Sequence, residues 1–79
     1  MNTYRAEFFA RCPANGARVR YSLRIETDSV VSVETINWAV DAIREGLHED
    51  IADQLLVAIG HRQTLIAEHH GVTIETERP

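Results

Sequence analysis

The chain has 79 residues, a formal net charge of -4 and a single cysteine, which bounds it to one small domain (residues 1–79) without an internal disulfide. No Cys/His spacing matches a zinc finger, no charged-then-apolar leader opens the chain, and no apolar run approaches the ~18 residues of a membrane helix. A cytoplasmic, bacterial protein with no membrane partner is therefore expected. At this size roughly 60% of the unfolded surface can be buried, so a lone core is marginal and help from a second copy is anticipated. Charge is unevenly distributed: residues 1–27 hold five arginines against Glu7 and Glu26, whereas residues 28–79 hold three against ten carboxylates. All basic residues are arginine, a usage that follows from a GC-rich genome and also suits planar, bidentate contacts.

In chain order, the first expected element is a hairpin over about residues 3–27. Asn15-Gly16 stands between two alternating runs, and such a pair predicts a type I′ turn because both central residues need positive φ. Pairing Ala14 with Ala17 then sets Cys12 against Val19, Ala10 against Tyr21, Phe8 against Leu23 and Ala6 against Ile25, an apolar face. The opposite face carries Arg11 with Arg20, Phe9 with Ser22, Glu7 with Arg24 and Arg5 with Glu26, so two of its pairs are opposite charges across the ladder.

Ser32 stands as an N-cap before an apolar pattern at Val33, Ile36, Ala39, Val40, Ile43 and Leu47, with Glu34 in the first turn and Gly46 as a stop. These signals predict a helix over about 33–45. A second is predicted over about 49–59: Glu49, Asp50 and Asp53 lie at its start, Ile51, Leu55, Ala58 and Ile59 on one side, and Gly60 ends it. From His61 the period changes to two, and His70-Gly71 reads as the two-residue turn of a second hairpin over about 62–77. That turn faces His69 with Val72, Ala67 with Ile74 and Leu65 with Thr76. Glu77 to Pro79 is expected to fray.

The order ββααββ predicts an α+β, two-layer domain: a four-stranded antiparallel sheet with two helices on its apolar face. This element order resembles that of the tunnelling fold of pterin and purine enzymes, and the resemblance implies units that oligomerise into barrels. None of those enzymes' motifs is present, so the likeness is one of element order.

No phosphate-binding glycine loop, nucleophile elbow or histidine pair at i, i+4 occurs, so no catalytic residue is assigned. The expected role is a small non-catalytic binding or assembly module that forms homo-oligomers. Three features carry candidate sites. Chain tracing brings Cys12 and Asn15, then His48, Glu49 and Asp50, then Glu68, His69 and His70 to one pole of the sheet. Imidazole, thiolate and carboxylate together suit a small ligand or zinc, giving an alternative reading as a ligand- or metal-binding enzyme subunit with its site at His48/His69. The competing reading is that these are solvated tips of strands that outrun the helices, with no cofactor and with Cys12 as inert packing. The candidate residues here are His48, Glu49, His69, His70 and Cys12; His61 lies at the other pole.

The outer sheet face places Arg5, Arg11, Arg20 and Arg24 around Phe9, with Arg18 nearby, an arrangement suited to anions or single-stranded nucleic acid. Glu68, Glu75 and the overall acidity oppose a polyanion, so weak or no nucleic-acid binding is expected. Finally, Trp38 falls about 200° from Ile36 around the first helix, and Leu56 and Val57 lie off the second helix's stripe. Those three are the candidates for self-association.

Overall fold

The computed structural model describes residues 1–79, in the order β1 (Asn2–Arg11), β2 (Arg18–Thr27), α1 (Val33–Asp41), α2 (His48–Ile59), β3 (Arg62–His69) and β4 (Val72–Arg78). The four strands form one antiparallel sheet, with neighbours in sequence order, β1-β2-β3-β4. Inward positions of the sheet and one stripe of each helix close over a core in which Leu23, Ile25, Ile51, Leu55 and Leu65 are fully buried. This is the two-layer α+β arrangement that the alternating and helical periods demand, since each apolar face has only the other to bury against. No helix is long and apolar enough to cross a membrane.

The second hairpin has the expected register: His69 faces Val72, Ala67 faces Ile74 and Leu65 faces Thr76. Its turn residues His70 and Gly71 take φ of +52° and +82°, the two positive values a type I′ turn requires. The first hairpin differs. Observed pairs are Ala10 with Val19, Phe8 with Tyr21, Ala6 with Leu23 and Tyr4 with Ile25, a shift of two positions from the expected ladder. Only Gly16 has positive φ in this loop. The Gly16 N–H donates to the Cys12 carbonyl at 2.7 Å, the Cys12 N–H to the Ala17 carbonyl at 2.8 Å, and the Ala17 N–H to the Asn15 side-chain oxygen at 2.9 Å. The loop is thus Pro13 to Gly16. The physical reason is Pro13, which lacks an N–H and has φ held near -65°, so it opens a loop more readily than it continues a strand.

A shift of two leaves every side chain on its assigned face but changes its partners. Glu7 now faces Ser22, and Arg5 faces Arg24, instead of forming opposite-charge pairs. Ion pairs form diagonally or along a strand instead, Arg20 with Glu7 and Arg24 with Glu26.

Helix α1 begins as expected, with the Thr35 N–H donating to the Ser32 hydroxyl at 3.4 Å, but it stops at Asp41 rather than near Glu45. The chain beyond turns onto the edge of β1: the Arg11 N–H donates to the Arg44 carbonyl at 2.9 Å and the Gly46 N–H to the Arg11 carbonyl at 3.1 Å. Two edge hydrogen bonds replace the last helical turn while Ile43 stays in the core. Val33 and Leu47, assigned to the buried stripe, are exposed, and on α2 it is Ala52 rather than Ala58 that is buried. The C-terminus does not fray at Glu77, because β4 runs to Arg78, whose guanidinium reaches Asp53 at 2.7 Å.

Candidate functional site

Strands β1 and β2 have ten residues each against nine in α1, which makes them ~33 Å long against ~14 Å for the helix. The helical layer therefore covers the middle of the sheet and falls short at its ends. At the end formed by the Pro13–Gly16 loop, the start of α2 and the His70-Gly71 turn, the gap becomes a cavity of about 270 Å³. Its wall includes Cys12, Tyr21, Leu47, His48, His69 and Ile74. The cavity persists because its neighbours are small: Ala14 and Ala67 also line it, and Ala67 sits directly opposite Tyr21 in the ladder.

Of the expected pole residues, the structure brings Cys12, His48 and His69 to this one cavity. His48 opens α2 and His69 closes β3 with its side chain on the helix-facing side. Tyr21 stacks on Phe8 with ring centroids 5.1 Å apart and meets the His48 ring at 5.7 Å, so the aromatic wall is continuous. Both ring nitrogens of His48 and Nε2 of His69 are buried without a hydrogen-bond partner. Such atoms carry a desolvation cost of ~1–3 kcal/mol each unless something supplies a bond. Burial pushes the His48 imidazole below its ordinary pKa, and the Arg78 charge adds to that fall; the Leu65 backbone, which approaches the ring without completing a well-aligned hydrogen bond, and the Glu49 charge pull the other way. Burial likewise raises the Tyr21 phenol, and Cys12 adds to that rise. A neutral imidazole can both donate and accept.

The remaining pole residues lie outside the cavity. His70 occupies the turn, its ring 4.4 Å from that of His69, and its Nε2 accepts from the Asn15 amide at 2.9 Å, which ties the two hairpin tips together. Glu49 points to solvent and pairs loosely with Arg78 at 4.0 Å. Asp50 and Glu68 are exposed. No three His, Cys, Asp or Glu side chains gather closely enough to hold a metal ion, so the zinc arrangement imagined from the sequence lacks its third ligand within this chain. His61 stands at the far pole, bonded through Nδ1 to the Thr27 hydroxyl at 3.1 Å.

Tyr21 was not among the candidates read from the sequence, nor were Leu47 and Ile74. The available signal was an aromatic residue at the loop end of an inward strand face; what brings it to the cavity is the β2–β3 pairing of Tyr21 with Ala67, which no turn between those strands reports. On the outer face, Phe9 is half exposed and the Arg18 guanidinium lies 3.9 Å from its ring centroid. Arg5, Arg11, Arg20 and Arg24 share that face as expected, with Arg20 and Arg24 engaged by glutamates. Trp38 and Val57 are 75% and 88% exposed, whereas Leu56 is half-buried and makes only part of the expected apolar patch.

No family model matches the chain, and no curated protein matches it. Among solved structures it is similar to the crystal structure of the archaeosine synthase QueF-Like in its apo form, with a TM-score of 0.73 and 21% sequence identity over 98% of this chain and 89% of that one. The likeness shows a shared fold extending over nearly the whole of both chains.

Proposed function

We propose that the chain is a homo-oligomeric binding module of enzyme-like build, whose cavity at the His48/His69 pole takes a small planar heterocycle of the purine or pterin kind. The observation that carries this reading is the set of unpartnered imidazole nitrogens, two on His48 and one on His69, buried at an otherwise apolar cavity. Pockets for small ligands have this composition: mostly apolar walls and a few polar groups that fix orientation. A flat ring with donors and acceptors on its edge would lie along the Tyr21–His48 wall and offer those nitrogens their missing partners. The fold is that of a neighbour named as an archaeosine synthase, which favours a nucleobase-like ligand over other flat rings. Calorimetric titration with guanine and with pterin tests it. One of them should bind, and His48→Ala or His69→Ala should weaken binding by about tenfold, the equivalent of one lost hydrogen bond. Absence of heat with both ligands, in a protein shown to be folded, would overturn the reading.

Self-association is supported by a second observation. Both edges of the sheet are strands, and they differ in sign: β1 presents Arg5 and Arg11 beside the arginines of β2, while β4 presents Glu75 and Glu77. Complementary edges favour head-to-tail contact between copies of this chain, which closes into a ring when the rotation permits. Exposed Trp38 adds apolar surface on the helical side. Sedimentation at roughly 50 μM should give a multiple of the monomer mass that falls in high salt, as charge screening requires, and falls further in Trp38→Glu. A wild-type monomer under those conditions would contradict it.

A further inference from the structure

On the outer face of the sheet, where the segment after α1 closes the edge of β1 beside the Pro13–Gly16 loop, lies a second group of side chains with no role in the reading above. Arg11 and Arg18 stand directly opposite each other in the β1–β2 ladder. Like charges so placed repel, and neither guanidinium has an ion-pair partner among those the structure shows. Arg44 joins them. Its backbone is held against Arg11 by the 2.9 Å hydrogen bond from the Arg11 N–H to the Arg44 carbonyl, with the Gly46 N–H closing the other side of Arg11 at 3.1 Å. It too forms no ion pair. All three arginines line one cavity of about 170 Å³, floored by Phe9, Ala10 and Gly16. That cavity shares Phe9, Arg18 and Arg44 with a longer groove of about 570 Å³ that runs between β1 and the end of α1.

We propose that Arg11, Arg18 and Arg44 form an anion site for a phosphate group, carried by a small phosphorylated ligand such as a mononucleotide. Three arginines without an ion-pair partner line one cavity, and a tetrahedral dianion accepts bidentate bonds from guanidinium donors. Arg18 is preorganised, since its guanidinium carbon lies over the Phe9 ring, 3.9 Å from the centroid, and it forms no ion pair that would occupy its donors. Phe9, 48% exposed, offers its uncovered edge to an attached ring, and the longer groove gives that ring a place to lie. Glu7 and Asp41 border the groove, and Glu7 is already engaged by Arg20. Those carboxylates, with Glu75 and Glu77 farther along the same sheet face, oppose a long polyanion but not a single phosphate placed among the three arginines.

The test compares inorganic phosphate, adenosine and guanosine monophosphates, and a ten-residue deoxythymidine oligonucleotide at constant ionic strength set with chloride. Backbone amide shifts at Arg11, Arg18 and Gly46 should saturate in millimolar phosphate, with a mononucleotide binding more tightly than phosphate and additionally shifting Phe9. Arg18→Gln and Arg44→Gln should each weaken this by about tenfold, as loss of one charge-assisted bond implies, while Arg62→Gln, whose side chain lies at the other end of the sheet against Glu77, should not. Shifts no larger than those in equal chloride, or unchanged affinity in both arginine variants with native amide spectra, would overturn the site. Oligonucleotide affinity exceeding that of a mononucleotide by more than its number of phosphates would overturn the small-ligand assignment and make the edge a nucleic-acid surface.

Discussion

Leu55→Ala is expected to remove about 3 kcal/mol of folding stability. Leu55 is 0% exposed at the centre of the helix–sheet interface, and truncating such a leucine costs both the lost transfer energy and the cavity left behind, ~2–5 kcal/mol in all. For a chain of this length total stability is of the order of 4–12 kcal/mol, so the loss is a large fraction of the whole. In thermal unfolding followed by circular dichroism it corresponds to a fall of roughly 12–24 °C. Val57→Ala on the exposed face of the same helix, where the side chain is 88% exposed, should change stability by no more than ~0.5 kcal/mol. Similar losses in the two variants would mean that α2 is rotated from the position described.

The second effect is acid sensitivity centred on His48. Its imidazole is held below the ordinary value of 6.5, first by burial, so the folded chain favours the neutral ring while the unfolded chain takes up a proton near pH 6.5. Stability from this group is therefore fully present above about pH 6.5, and it is lost as pH falls through that value and on through the lower folded pKa. Among the groups around it, Tyr21, Cys12 and His69 line the same cavity, while Glu49 and Arg78 act on it electrostatically with opposite sign. Urea unfolding midpoints measured from pH 8 down to pH 5 should decline in the wild type and decline less in His48→Gln, which cannot charge. An equal decline in both would place the acid-sensitive group elsewhere.

Most of the layer architecture was legible from periodicity, because period two and period 3.6 report burial directly and the strands and helices here have no other surface to bury against. The His70-Gly71 turn shows how far local chemistry reaches: two residues that tolerate positive φ set a register of seven pairs. Asn15-Gly16 carries the same signal and yields a different loop, because Pro13, two residues before Asn15, competes for the start of the turn. The end of α1 was illegible for another reason. Glu45 continues the helical pattern, but the edge of β1 offers Arg44 and Gly46 backbone partners that only the folded sheet can present. The histidine pole was located by tracing the chain, yet its aromatic wall was not, since Tyr21 reaches it through pairing with Ala67 of β3, a long-range contact that no connecting turn specifies. The same holds for the arginine triad, in which Arg44 comes from a segment that the sequence assigns to a helix.

The reading of the cavity is tested most directly by nitrogen NMR of the imidazole rings during addition of guanine or pterin. The account predicts that the His48 and His69 resonances move to hydrogen-bonded positions and saturate together, while His61, bonded to Thr27 at the opposite pole, stays fixed. Movement of all four histidines alike, or of none at saturating ligand, would contradict it.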